Sequence, residues 1–542
     1  MHNEVQGTAA SLFGLISSSQ LKQNPNISAS MRLSAARTSR NRLDSILLGG
    51  IPRTNVILVQ GVAGTGKTLM GLEFIYRGIV EYDEPGLVVV FETSPDKLIR
   101  DATGFGWNLN ELQREKKLQI VFTSPHVFNH ELSSPDSLLL ETAREMGARR
   151  IFVDGLGLLI PDLGGSKSTR AEHRELMQQL IESLTRENLT AMLSLERGSS
   201  PDWIASVEMA GFLADTVIQL GRERHGRRAR RVLEVLKSRG QDFEAGEHTL
   251  QITGGRGLEI YRRVQAPLRA NARQPTSSTM RSIIGVDAVD TLIGGGIFDG
   301  STTMVVGVSG VGKTVLGTQI LREGALKQKT RGLLVSLDEH PAQIIRNAHT
   351  LGMNLEDQVA DGTIKILFES PQELNIDRHF AHILEFIVEH DIQRMVIDGM
   401  TSYSTAIGEV GIYRDFFHAI VAFSKQRLMT TFFNYENPEF LGISSYMPDF
   451  PLSSIVDNLI LLSLVEINNS LHRCISVVKA RGSKHSFDTR EFVVGQGGIS
   501  LIPLQPTPGP ELPLQGYSSL LGRAPTRQFL HNPKNGGIAV EY

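Results

Sequence analysis

Cysteine is almost missing from this chain of 542 residues, Cys474 being the only one. That excludes an intrachain disulfide and any multi-cysteine zinc site. Its setting, RCISVV, suits a buried small hydrophobe better than a reactive thiol. Long apolar runs are missing too. None reaches the roughly 18 residues that a membrane-spanning helix needs, and MHNEVQGTAASLFGLISSSQ lacks the basic start and apolar centre of a secretion signal. The expectation is a cytoplasmic protein. Nor is there an excess of charge of one sign: 55 basic residues stand against 58 acidic ones, a net charge of −3. No global field therefore announces nucleic acid or an anionic membrane as a partner. What the chain does have is 41% hydrophobic residues and a length beyond one ordinary core. At least two globular domains are expected.

Residues 1–40 are rich in Ser, Asn and Ala and show no long periodic pattern, which reads as a flexible extension. From 41 to 262, short apolar runs alternate with helix-length amphipathic ones; the runs are VILVQ, GLVVVFE, LQIVFTS, RIFVDGL, TAMLSLE and TVIQL. This alternation predicts an α/β domain, a mostly parallel twisted sheet flanked by helices. Residues 263–281 form a polar linker containing Pro267 and Pro275. Then the first pattern restarts. LDSILLGGIP (43–52) returns as VDTLIGGGIF (289–298), and GWNL (106–109) as GMNL (352–355). RRIFVDG (149–155) returns as QRMVIDG (393–399), and LKSRG (236–240) as VKARG (478–482). Landmarks in such a register mark a tandem duplication, with a second α/β domain over 282–505. After Leu504 the chain becomes QPTPGPELPLQGY, and residues 506–542 read as a flexible tail.

The most informative motif occurs twice. GVAGTGKT comprises Gly61, Val62, Ala63, Gly64, Thr65, Gly66, Lys67 and Thr68. GVSGVGKT comprises Gly307, Val308, Ser309, Gly310, Val311, Gly312, Lys313 and Thr314. Each follows an apolar strand and opens a helical segment, the context in which G-x-x-x-x-G-K-[ST] binds nucleotide phosphates. Glycines let the backbone N–H groups point inward at the phosphates, and the helix that follows adds its positive end. Lys67 and Lys313 would neutralise the β- and γ-phosphates of ATP, while Thr68 and Thr314 would help hold Mg²⁺. Asp154 in RIFVDG and Asp398 in RMVIDG each end a second apolar strand. They are the expected partners of that Mg²⁺, directly or through water. Glu92 in VVVFETSP, and Asp338 with Glu339 in LLVSLDEHP, are candidates to orient or deprotonate the attacking group. They stand at the carboxyl edge of the sheet, where ligands of such folds bind. Aligned by the duplication, Glu92 corresponds to Asp338 and Thr93 to Glu339, so the two sites need not do the same chemistry.

Together these residues resemble the RecA-type ATPases. The doubled arrangement, with GFGWNL and LGMNL after the acidic strand ends, is similar to the KaiC family of circadian-clock ATPases and autokinases. The resemblance covers about residues 40–505 and implies two tandem RecA-like P-loop NTPase domains. It implies a homohexameric double ring with ATP between neighbouring subunits. The first ring would be mainly hydrolytic and the second would phosphorylate itself, with an autophosphatase activity as a further option. Lys237 and Arg239, and Lys479 and Arg481, would reach from one subunit to the γ-phosphate held by the next. The phosphorylated pair would be Ser453 and Ser454 in PLSSIVDNLILL, activated by Asp338 and Glu339. Partners of the KaiB type, or other signalling proteins, follow from the same resemblance. Three departures bear on it. Thr93 replaces a second acidic residue in the first repeat, and PDF (448–450) stands where the family has a hydroxyl-rich stretch. The tail keeps only LGRAPTR (521–527) of a family-like segment, which speaks against a KaiA-type partner.

Two other classes stay open. GRERHGRRARRVLEVLKSRG has eight basic and two acidic residues between Arg222 and Arg239, as a RecA- or DnaB-type DNA-handling motor would require. The near-neutral overall charge and the lack of interleaved aromatics for base stacking argue against nucleic acid. An ATP-gated hexameric scaffold without kinase activity is the other alternative, separated from the enzyme by turnover measurements.

Overall fold

The computed structural model describes residues 35–36, 43–134, 136–159, 170–197, 210–225, 228–265, 278–437, 454–467 and 469–503. The chain divides into two compact units, 1–263 and 264–542. In the first, the strands are β1 (Ala35–Ala36), β2 (Ile51–Pro52), β3 (Val56–Gly61), β4 (Gly86–Val90), β5 (Leu118–Phe122), β6 (Arg150–Asp154), β7 (Thr190–Glu196), β8 (Thr216–His225), β9 (Arg228–Ser238), β10 (Glu247–Thr253) and β11 (Gly257–Tyr261). In the second they are β12 (Arg281–Ser282), β13 (Ile297–Phe298), β14 (Thr302–Gly307), β15 (Gly332–Ser336), β16 (Ile364–Phe368), β17 (Arg394–Asp398), β18 (Thr430–Glu436), β19 (Asn458–Ile467), β20 (Ser470–Ala480), β21 (Arg490–Gly495) and β22 (Gly498–Leu501).

Each unit is built on one sheet, and the two sheets have the same topology. Their orders are β5-β4-β6-β7-β3-β8-β9-β10-β11 and β16-β15-β17-β18-β14-β19-β20-β21-β22. From β5 to β8, and from β16 to β19, all pairings are parallel; the remaining strands extend each sheet antiparallel. The duplication read from the sequence is thus a duplication of fold: two tandem RecA-like domains. The parallel strands are apolar throughout because both faces are covered. On β3, Ile57 and Val59 enter one core while Val56 and Leu58 enter the other. On β14, Val305 serves one core and Met304 and Val306 the opposite one.

The motif loops lie where the central strands stop. The helix Lys67–Tyr82 starts after Gly66, whose φ is 110°, and Lys313–Gln328 starts after Gly312, with φ 119°. Neither start has a side-chain cap, so the first N–H groups of both helices are left for a ligand. A second repeated device lies at the opposite end of the sheet. The β8–β9 ladder slips by one residue between Val217 and Ile218, and the β19–β20 ladder between Leu459 and Ile460. These bulges stand directly before Lys237 and Lys479. An extra residue of this kind raises the local twist and re-aims the side chains beside it. Cys474 is buried. Among the described residues, no helix is long and apolar enough to cross a membrane.

Candidate functional site

In the first unit the loop curls around the lysine. Lys67 Nζ donates to the carbonyls of Gly61 (2.8 Å) and Val62 (3.0 Å). Burial pushes its pKa down, and the charges of Glu196 and Asp154 push it back. Thr68 Oγ1 donates to Asp154 Oδ2 at 2.9 Å. Ser194 Oγ donates to the other oxygen, Oδ1, at 2.5 Å, and accepts from Gly155 N at 2.9 Å. A cleft of about 650 Å³ opens beside the loop, lined by Lys67, Thr68, Leu72, Leu98, Phe105 and Ile252 among others. Its size and its apolar walls suit a nucleoside. Trp107 backs Phe105 at 5.2 Å between ring centroids and stacks on Tyr76.

The second unit repeats this geometry with more carboxylates. Lys313 Nζ donates to the carbonyls of Gly307 (2.9 Å) and Val308 (2.8 Å) and stands 3.9 Å from Glu436 Oε2. Burial lowers its pKa against the opposing pull of Glu436, Asp398 and Asp338. Thr314 Oγ1 donates to Asp398 Oδ2 at 2.7 Å, and Asn434 Nδ2 to Asp398 Oδ1 at 3.0 Å. Burial raises the pKa of Asp398. It also raises that of Glu339, helped by the negative charge of Asp398. Asp338 accepts from Ser402 Oγ at 2.5 Å. The glycine of IDG has a steric reason: a β-carbon on Gly399 would lie 2.4 Å from Asp338 Oδ2.

Each unit brings a hydroxyl and a carboxylate into direct contact at a helix start, and Mg²⁺ commonly takes only one or two protein oxygens. In the second unit Asn434 Oδ1 is buried without a hydrogen-bond partner among the described residues, as an acceptor awaiting a metal-bound water would be. The donor sets fit.

The strand-end carboxylates differ. Val90 pairs with Asp154 and Ser336 with Asp398, so Glu92 and Asp338 occupy the same position along the sheet edge. Glu92 is exposed and makes no hydrogen bond or ion pair among the described residues. Asp338, by contrast, acts electrostatically on both Lys313 and Asp398, and the charge of Asp398 acts on Glu339. Glu196 and Glu436 were missed by sequence reasoning. Both end the strand beside the loop (Gly61↔Glu196, Gly307↔Glu436), and their signal was present in TAMLSLE and TTFFNYE. Ser194 and Asn434 were missed as well, since neither lies in a motif.

The K-x-R-G cations are not near the loop of their own unit. Lys237 pairs with Val217, at the start of β8, whereas Gly61 pairs with Leu220. Lys479 pairs with Leu459, and Gly307 with Leu462. The two levels are three residues apart along the strand in each case, or roughly 10 Å. At that far edge Lys237 Nζ donates to the carbonyls of Gly211, Phe212 and Ala214, and Arg239 Nη2 to Phe212 O. Lys479 Nζ donates to Val456 O at 2.7 Å and Arg481 Nη2 to Ser454 O at 2.8 Å. Ser454 is exposed there. Ser453 lies outside the described residues.

Comparison with known proteins gives a consistent result. The family model described as "ATPase: KaiC" matches residues 36–265 and again 283–506. The "Circadian clock oscillator protein KaiC" of Synechococcus elongatus is 32% identical over 489 residues, covering 89% of this chain and 92% of the relative. That of Picosynechococcus sp. is 31% identical over 497 residues (91% and 92%), and that of Nostoc sp. 32% over 499 residues (91% and 92%).

Proposed function

The chain belongs to the KaiC ATPase family, and from that premise we propose that it is a cytoplasmic, hexameric ATPase whose second domain is a serine autokinase. Each site is completed by the next subunit. The observation that carries this reading is the separation of the two halves of each site. The phosphate loop closes one edge of the sheet, while Lys237 and Arg239, or Lys479 and Arg481, stand at the other. Cations at that end of the strand are better placed for a neighbour's phosphate than for their own. The Ser454 carbonyl accepts from Arg481 at that end, the end opposite the strand termini that carry Asp338 and Glu339.

Transfer in the second site needs an in-line nucleophile and a base. The serine Oγ approaches the γ-phosphorus in line, and the carboxylate of Asp338 or Glu339 accepts its proton. The Oγ–P bond forms as the bond to the β-phosphate oxygen breaks, leaving ADP and phosphoserine. Lys313 and the neighbour's Lys479 and Arg481 stabilise charge on the transferring group. Mg²⁺ held by Thr314 and Asp398, or by Thr68 and Asp154, would neutralise the phosphate oxygens. In the first site we assign the orienting of water for hydrolysis to Glu92, the carboxylate at the same position along the sheet edge as Asp338.

Signalling partners, of the KaiB type or others, are part of the same proposal. A DNA motor is less well supported, because Arg222 and Arg230 of the basic stretch are engaged by Gly64 O and Glu223. The test is incubation with γ-labelled ATP and Mg²⁺, followed by phosphosite mapping. Label at Ser453 or Ser454 is expected. Steady hydrolysis without label at either serine would leave an ATPase without kinase activity.

A further inference from the structure

The two phosphate loops follow the same backbone course but lie in different surroundings. Gly64 and Gly66 have φ of 75° and 110°, and Gly310 and Gly312 have 74° and 119°. In the first unit Arg222 Nη2 donates to the Gly64 carbonyl at 2.8 Å. A β-carbon built on Gly64 would meet that guanidinium at 3.0 Å, whereas one built on Gly310 would meet nothing within 4 Å. The register explains the difference. Gly61 pairs with Leu220 and Gly307 with Leu462, so the residue two places on is Arg222 in one unit and Leu464 in the other. Leu464 packs against its own core.

We infer that Arg222 is a positioning residue of the first nucleotide site, a strut from the same chain that fixes the Gly64–Thr65 peptide for the nucleotide phosphates. The inference rests on the nucleotide reading above. In a trans peptide the C=O and N–H point in opposite directions. Holding the Gly64 carbonyl on the outside of the loop therefore aims the Thr65 N–H inward, where a phosphate oxygen would sit. Glycines are the residues whose peptides reorient most freely. Fixing one beforehand removes an ordering cost that binding would otherwise meet. The bond is charge-assisted, on an exposed side chain. Charge acts in the same sense. The first site has Thr93 where the second has Glu339, and Arg222 where the second has Leu464. Both exchanges favour an anion.

The test uses the full chain carrying Lys313→Ala, so that the first site dominates nucleotide binding, with Arg222→Met and Arg222→Lys added in turn. Binding and dissociation of a fluorescent ATP analogue are measured together with steady-state hydrolysis and the melting midpoint. Arg222→Met should weaken binding about tenfold, the factor expected for one hydrogen bond to a charged group. It should raise KM by a similar factor and leave kcat within about twofold, the pattern of a lost uniform binding term. Arg222→Lys should recover most of the affinity. Unchanged affinity in Arg222→Met would overturn the inference. A loss that Lys does not rescue, accompanied by a lower melting midpoint, would overturn it too and reduce Arg222 to hairpin packing. If the Lys313→Ala parent binds no analogue at all, the nucleotide reading of the first site fails, and the strut fails with it.

Discussion

Glu223 on β8 and Glu247 on β10 flank β9, and their carboxyls share a hydrogen bond. Two carboxyls can bond only if one holds a proton. Arg230 pairs with the Glu223 carboxylate at 2.5 Å and, more weakly than the other charges, opposes the proton on Glu247. The shared hydrogen bond, then partial burial and the charges of Glu223 and Glu234, push Glu247 up to about 7. The folded chain holds this proton more tightly than the unfolded one, so the contribution to stability is complete below the ordinary carboxylate range and is lost as pH rises through about 7. Urea unfolding at pH 5, 6, 7 and 8 should show the first unit weakening across this window. Glu247→Gln, which keeps a donor but cannot ionise, should weaken less. Parallel curves for the two proteins would refute the shared proton.

At the scale of elements, the helix that follows each phosphate loop is seated on the sheet by a glycine. In the first unit a β-carbon on Gly71 would meet three ring atoms of Phe152 at 2.1 to 2.2 Å, and Phe152 is fully buried in β6. Alanine gains about 1 kcal/mol of helix propensity over glycine, but overpacking a fixed core costs about 1–3 kcal/mol. With three contacts this short the steric term should win. Gly71→Ala is expected to lower the stability of the first unit by ~1–2 kcal/mol in urea unfolding, and a raised midpoint would contradict this packing. Gly71 also illustrates what could be read from the sequence. The strands β3 to β8 were legible because burial on both faces leaves an unbroken apolar run, and the loops were legible because phosphate binding needs a fixed glycine spacing. The glycine's reason was not legible, since Phe152 lies far along the chain and meets it only in the fold. Ser194, Asn434 and Arg222 escaped for the same cause: their partners come from register across strands. The bulges before Lys237 and Lys479 left no sequence signal, because an extra Leu or Val in an apolar strand looks like any other.

At the scale of the whole molecule, the two edges of each sheet make opposite demands. One edge holds the phosphate loop and the carboxylates, while the other holds the K-x-R-G cations and, in the second unit, Ser454. The far-edge cations are already engaged by carbonyls of their own chain, and burial lowers the pKa of both Lys237 and Lys479. An arriving phosphate would have to compete for them. A closed ring of the 59.6 kDa chain satisfies every such edge at once, whereas an open pair leaves two edges unmatched. The proposed phosphorylation should therefore cross a subunit boundary, and mixed rings can test it. One chain carries Ser453→Ala and Ser454→Ala with both phosphate loops intact. The other carries Lys313→Ala with both serines intact. If donor and acceptor lie on different subunits, γ-labelled ATP should place phosphate on the Lys313→Ala chain only in the mixture, and neither chain should be labelled alone. Sedimentation with ATP should show six chains in the labelled particle. Label on the Lys313→Ala chain by itself would mean that Lys313 is not needed for transfer. A mixture without label, formed from hexamers whose wild-type counterpart does label, would place the donor on the same subunit as the serine and require the far edge to fold back across its own sheet.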